Sequence, residues 1–231
     1  MTFDRARLVR RSCALALVSS LVLVAASACG GGAAARDGAG SGPVSSAEFD
    51  ALYRARTDSA RMRFTEADVR FMNAMIGHHA QALVMSGFAP THGASPSVRT
   101  LAARIINAQQ DEIALMQRWL RDRGQPAPEV MIQGTSLMIH GAEHPTHGAG
   151  MLAPEQMAEL ERARGAEFDR LFLRYMIQHH RGAVVMVDEL VATAGAAQDA
   201  EVFRLASDIH VDQTTEIARM EGMLAALEGD C

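Results

Sequence analysis

Two histidine pairs stand in nearly the same company. Residues 75–82 read Met-Ile-Gly-His-His-Ala-Gln-Ala, and residues 176–183 read Met-Ile-Gln-His-His-Arg-Gly-Ala. Adjacent histidines inside an apolar run are costly unless something satisfies their ring nitrogens. At about 100° per residue on a helix, His79 falls about 40° to one side of Met75, with His78 about 60° and Met85 about 80° to the other. The histidines therefore flank one stripe that carries thioethers, and Met176, His179, His180 and Met186 repeat the arrangement. Further along, Gln109, Glu112 and Met116 share a helix face at spacings of three and four, as do Gln213, Glu216 and Met220. In an antiparallel hairpin that second face can meet the histidine face.

Two chemistries fit such a seam. One is a buried polar network, with histidine donating to glutamate, glutamine filling in, and methionine filling the core. The other is metal binding. Imidazole with thioether is a soft to borderline set suited to copper, Cu(I) above all, while imidazole with carboxylate also holds Cu(II) or zinc. Copper is thus the expected ion, with silver or zinc able to stand in its place. The candidate ligands are Met75, His78, His79, Met85, Glu112 and Met116, then Met176, His179, His180, Met186, Glu216 and Met220.

The segment between the repeats adds an independent signal. Met131, Met138, His140, His144, His147 and Met151 lie among glycines in a stretch with no clear helical or strand pattern. Such His-rich, Gly-punctuated segments bind soft or borderline metals. The bland alternative is a flexible linker whose methionines dock on the bundle. His92 and His210 stand singly and read as structural.

The elements that must position these residues are helices. Ser45 or Ser46 caps a first helix over 45–63, and Thr65 with Asp68 makes a near-capping-box start for the next. Apolar residues then recur at helical spacing from Val69 to Val84, and the run stops near Gly87 and Pro90. A second helix runs from near Ser97 to Gly124, and Pro154 opens a further helical segment at a favourable first position. After Gly165 come two more long helices, separated near Gly195. Asp68, Phe71, Met75, His78, His79, Ala82 and Met85 match residues 101 positions later, and beyond the turn the offset becomes 104. Each hairpin has an apolar stripe that it cannot bury alone. The expected fold is all-α: a four-helix bundle from two duplicated helical hairpins. Its parts are repeat 1 at about 65–124, a Met/His linker at about 125–153, and repeat 2 at about 154–228.

The start of the chain reads as an export signal. Arg5, Arg7, Arg10 and Arg11 precede an apolar stretch, and Ala26-Ser27-Ala28-Cys29 resembles a lipobox. The expectation is a signal peptide over 1–28, lipidation of Cys29, and a Gly-rich tether over 29–44. That makes an exported protein, lipid-anchored to a bacterial membrane on its periplasmic or extracytoplasmic face. Removing 1–28 takes four arginines and one aspartate from 22 basic and 27 acidic residues, leaving 18 and 26, a net charge of −8. With no lysine in the chain, nucleic acid is a poor partner. Cys231 is the only other thiol left after cleavage, so no intramolecular disulfide is expected between free thiols.

No Glu-x-x-His, His-Glu-x-x-His, Gly-x-Ser-x-Gly or Walker motif occurs, and nothing argues for turnover. The paired motifs resemble a bacterial family, domain of unknown function 305. Its members carry twin Met-Ile-x-His-His motifs, each followed by Gln-x-x-Glu-Ile-x-x-Met. The likeness runs from Asp68 to Met116 and from about Gly150 to Met220, including Gly-Met-Leu-Ala-Pro-Glu-Gln and Gly-Ala-Glu-Phe-Asp-Arg-Leu-Phe. It implies a ferritin-like bundle in exported or membrane-attached proteins, some of them periplasmic copper binders linked to copper tolerance. Carried over by motif, the implied ligands are Met75, His78, His79, Met85, Met176, His179, His180 and Met186. The expected role is a copper buffer or metallochaperone, with a metal ion, the membrane and a metal-exchange protein as partners, and a homo-oligomer compatible with it. The rival is a structural or interaction module built on a buried His–Glu network. Because ligation needs neutral imidazole, binding is expected to weaken as pH falls through ~6–7.

Overall fold

The computed structural model describes residues 45–133, 136–141 and 148–229. The expected signal and tether with Cys29, and also His144, His147 and Cys231, lie outside the described residues. Four long helices make the bundle. Helix α2 (Glu66–Gly87) forms a hairpin with α3 (Pro96–Asp122), and α5 (Gly165–Ala192) forms one with α6 (Ala200–Gly229). The hairpins meet chiefly through α2 and α5. Two shorter helices accompany them, α1 (Ser46–Arg61) and α4 (Pro154–Arg162).

The core divides into two apolar clusters. One joins Met85 and Phe88 near the end of α2 to Leu101 and Ile105 early in α3, Phe168–Met176 early in α5, and Met220 late in α6. The other joins Phe71–Ile76 early in α2 to Ile113–Leu120 late in α3, Ala183–Leu190 late in α5, and Val202–Ile209 early in α6. Helices α2 and α5 therefore run antiparallel across each other. Their middles, where the histidine pairs fall, lie between the two clusters.

The capping logic read from Thr65 and Asp68 holds and reaches further. Asp68 accepts from the Thr65 backbone N–H at 2.8 Å while Thr65 Oγ1 accepts from the Asp68 N–H at 3.3 Å. The other carboxylate oxygen accepts the Ala197 N–H at 2.7 Å, in the turn between α5 and α6. Its counterpart Asp169 accepts the Ser95 N–H at 3.2 Å, in the turn between α2 and α3. Each hairpin thus clamps the other's turn with a buried aspartate.

One expectation is overturned. The segment read as lacking a strand pattern contains β1 (Glu129–Gln133) and β2 (Ser136–His140), an antiparallel ribbon with Val130 opposite Ile139 and Met131 opposite Met138. Val130 and Leu137 pack on the bundle's apolar clusters. Methionine on the outward face counts as apolar beside Val, Ile and Leu on the inward one, so the period of two does not show in the hydropathy pattern.

Replacing Asp68 by alanine removes a cap and leaves the buried Ala197 N–H unpaired. Unfolding free energy is expected to fall by about 2–4 kcal/mol, measured by denaturant titration with circular dichroism. An unchanged midpoint would contradict the clamp.

Candidate metal centre

The four histidines of the twin motifs meet where α2 crosses α5. The His78 and His179 rings lie face to face, 3.7 Å between centroids and 36° between planes. His79 and His180 sit 6.4 and 6.3 Å from their neighbours in sequence. All four side chains are sealed from solvent, at 0–1% exposure. The apolar clusters on either side make that burial unavoidable for any residue at these helix positions.

Hydrogen bonds set the tautomers. His79 Nε2 lies 2.7 Å from Glu112 Oε2, and His180 Nε2 lies 2.8 Å from Glu216 Oε2. His78 Nε2 lies 3.1 Å from the Ala149 carbonyl oxygen. Carbonyl and carboxylate oxygens accept, so each of these Nε2 atoms is the N–H donor, and in the neutral His78 ring Nδ1 then holds a free lone pair. Those three Nδ1 atoms are buried without a protein partner, and His179 has none at either nitrogen. An unpaired buried polar atom costs about 1–3 kcal/mol. A layer of them is an expensive way to fix a bundle register. A carboxylate on one ring nitrogen orients the imidazole, the support that metal-ligating histidines also receive.

A strap formed by residues 148–152 lies over this layer and differentiates the two repeats. Gln81 clamps it, donating to the Leu152 carbonyl at 3.0 Å and accepting the Leu152 N–H at 2.8 Å. At the offset of 101, the residue matching Gln81 is Gly182. There the strap backbone occupies the space of a side chain, since a β-carbon on Gly182 would stand 1.9 Å from the Ala149 oxygen. Gln178 donates to the Gly150 carbonyl at 3.3 Å and accepts from Gln156 at 3.2 Å. The sequence reading missed Gln81, Gln178, Ala149 and Gly182 as parts of the site. The glycine-for-glutamine difference between repeats was the available signal.

The methionines take a different place. Met75 and Met116 are buried in one apolar cluster, and Met85, Met176 and Met220 in the other. Met186 is half-buried and lines an open groove of about 340 Å³ together with Gly148 and Ala149 of the strap. Glu112 and Glu216 are engaged on ring nitrogens. Among the described residues, no three His, Cys, Asp or Glu side chains are grouped to hold an ion. The structure therefore brings imidazoles together as a stacked, carboxylate-supported layer. His140 is exposed on the ribbon and is not among the stacked rings. His92 is buried and satisfied by Thr91 and the Glu161 carbonyl, the structural role expected of it.

The family model described as "Domain of unknown function (DUF305)" matches residues 68–224. The chain belongs to the DUF305 family. A DUF305 fragment from Deinococcus radiodurans is 32% identical, with a TM-score of 0.58, covering 71% of this chain and 98% of that one. A putative secreted DUF305 protein from Streptomyces coelicolor is 26% identical, with a TM-score of 0.59, covering 70% and 94%. CopM in its Cu(II)-bound form is 30% identical, with a TM-score of 0.54, covering 69% and 96%. Structures of CopM bound to Cu(I) and to silver also match. No curated protein matches the chain.

Burial moves the pH window of two rings of this DUF305 site. Desolvation, reinforced by repulsion from His79 and His180, pushes the His78 ring down to about 3. Desolvation and the three neighbouring rings hold His179 well below the ordinary histidine range of 6.5. These two rings stay neutral far below pH 6, so protons do not compete for them at ~6–7.

The stability of the metal-free protein carries the signature. Unfolded histidines take up protons below about 6.5 while the folded pair does not, so stability falls as pH drops from there toward about 3. Two such groups contribute a slope of up to about 3 kcal/mol per pH unit. Thermal melts between pH 6.5 and 5 are expected to show this slope. In His78→Gln/His179→Gln it should flatten, and an equal slope in that variant would contradict the assignment.

Proposed function

We propose that this DUF305 protein binds copper at the crossing of α2 and α5, using the Nδ1 atoms of His78, His79, His179 and His180. The observation that carries the reading is the set of unpartnered, buried Nδ1 atoms, three of them on rings whose Nε2–H is already held. Metal-bound CopM, which shares fold and family, supports copper, with silver as its soft substitute. Imidazole ligands alone hold Cu(I) or Cu(II). Glu112 and Glu216 orient His79 and His180, and the strap held by Gln81 excludes water.

In this reading the protein is an exported lipoprotein, anchored through Cys29. It works as a buffer or metallochaperone that captures and releases copper and performs no turnover. A metal-exchange protein is the partner such a role requires. The rival, a structural His–Glu module, is favoured by one observation: the histidine–glutamate hydrogen bonds are complete without any ion.

Titration of the full chain with Cu(I) against a colorimetric chelator separates the two. Tight binding is expected, with its bundle component lost when His78, His79, His179 and His180 are alanine and helicity is retained. Absence of tight Cu(I) binding by the folded wild-type chain would contradict the proposal and leave the module reading. Should the quadruple variant unfold, His78→Asn/His179→Asn supplies the same comparison with smaller loss of packing.

A further inference from the structure

The bundle rings are sealed beneath the strap, so an arriving ion needs an outside place to land. The β1–β2 ribbon offers one. Its register sets Met131 directly opposite Met138 and Glu129 directly opposite His140. Strand side chains alternate between faces, so these four share one face while Val130, Ile132, Leu137 and Ile139 share the other. Val130 and Leu137 pack on the bundle, which places the Met/His face outward. Met131 is 42% exposed, Met138 is half-buried, and His140 and Glu129 are exposed. Ile132 on the other face is 38% exposed, so the ribbon is a thin layer whose Met131 fills no core.

We propose that this outward face is a second metal site, for a soft monovalent d10 ion such as Cu(I) or Ag(I), with Met131, Met138 and His140 as ligands. Directly opposed side chains have β-carbons about 4.5–5.5 Å apart, within the span of two thioethers on a shared ion. His140 follows Met138 by two residues, about 7 Å along the same face, a separation that a histidine and a methionine side chain span together. Two thioethers and an imidazole form a soft set that selects Cu(I) and Ag(I) over harder divalent ions. Glu129 is placed to accept the second ring N–H of His140 and orient it. The ribbon packs on α2, the helix that carries His78 and His79, so ion capture here lies beside the sealed layer. This site stands on the ribbon's own register and does not depend on ligation by the bundle histidines.

The test is a titration of the metal-free full chain with Ag(I), followed by NMR of methyl-13C methionine. The Met131 and Met138 methyl signals are expected to shift together and to saturate with a single equivalent. Met131→Leu/Met138→Leu lies on the outward face, so it should retain helicity, lose that equivalent, and keep any shifts of Met75, Met85 and Met176. Shifts confined to the buried methyls would overturn the ribbon site while leaving the bundle reading intact. Shifts confined to Met131 and Met138 would support the ribbon and count against the bundle.

Discussion

The structure turns on four imidazoles held in the middle of an apolar bundle. Helices α2 and α5 cross with His78 stacked on His179, and the apolar clusters on both sides leave water no way in. Charged rings at 3.7 Å in such a medium would repel strongly, so the stack exists only as neutral imidazole. Glu112, Glu216 and the Ala149 carbonyl take the Nε2–H of His79, His180 and His78. The Nδ1 atoms of those three rings and both nitrogens of His179 remain without a protein partner.

The two hairpins match at the histidines and aspartates, yet a single strap covers their junction. Its backbone reaches into the place where Gly182 has no side chain and is gripped at its other end by Gln81. Twofold-related positions therefore need different residues, because one chain segment cannot lie symmetrically across the axis it covers. The same asymmetry leaves Met186 on an open groove while Met85 is fully enclosed.

Much of this was legible in the sequence. The 3.6-residue periodicity, the Thr65 cap and the recurrence of Met-Ile-x-His-His gave the helices, their pairing and the partnership of histidine with glutamate. Three things were hidden. The ribbon's alternation was masked because Met131 and Met138 are as apolar as the valine and isoleucine beside them. The reach of Asp68 to Ala197 and of Asp169 to Ser95 joins residues far apart in sequence, which local patterns do not report. The low proton affinity of His78 and His179 was hidden because a histidine's type gives its ordinary value, whereas burial and neighbouring rings decide the actual one.

The most direct test of the central claim observes the ring nitrogens themselves. Long-range 1H–15N spectra of the histidines would be recorded on the full chain as Cu(I) is added without oxygen. The account predicts that the Nδ1 signals of His78, His79, His179 and His180 move, while Nε2 of His79 and His180 stays protonated against Glu112 and Glu216. Copper bound to the chain with all four Nδ1 signals unmoved would contradict it.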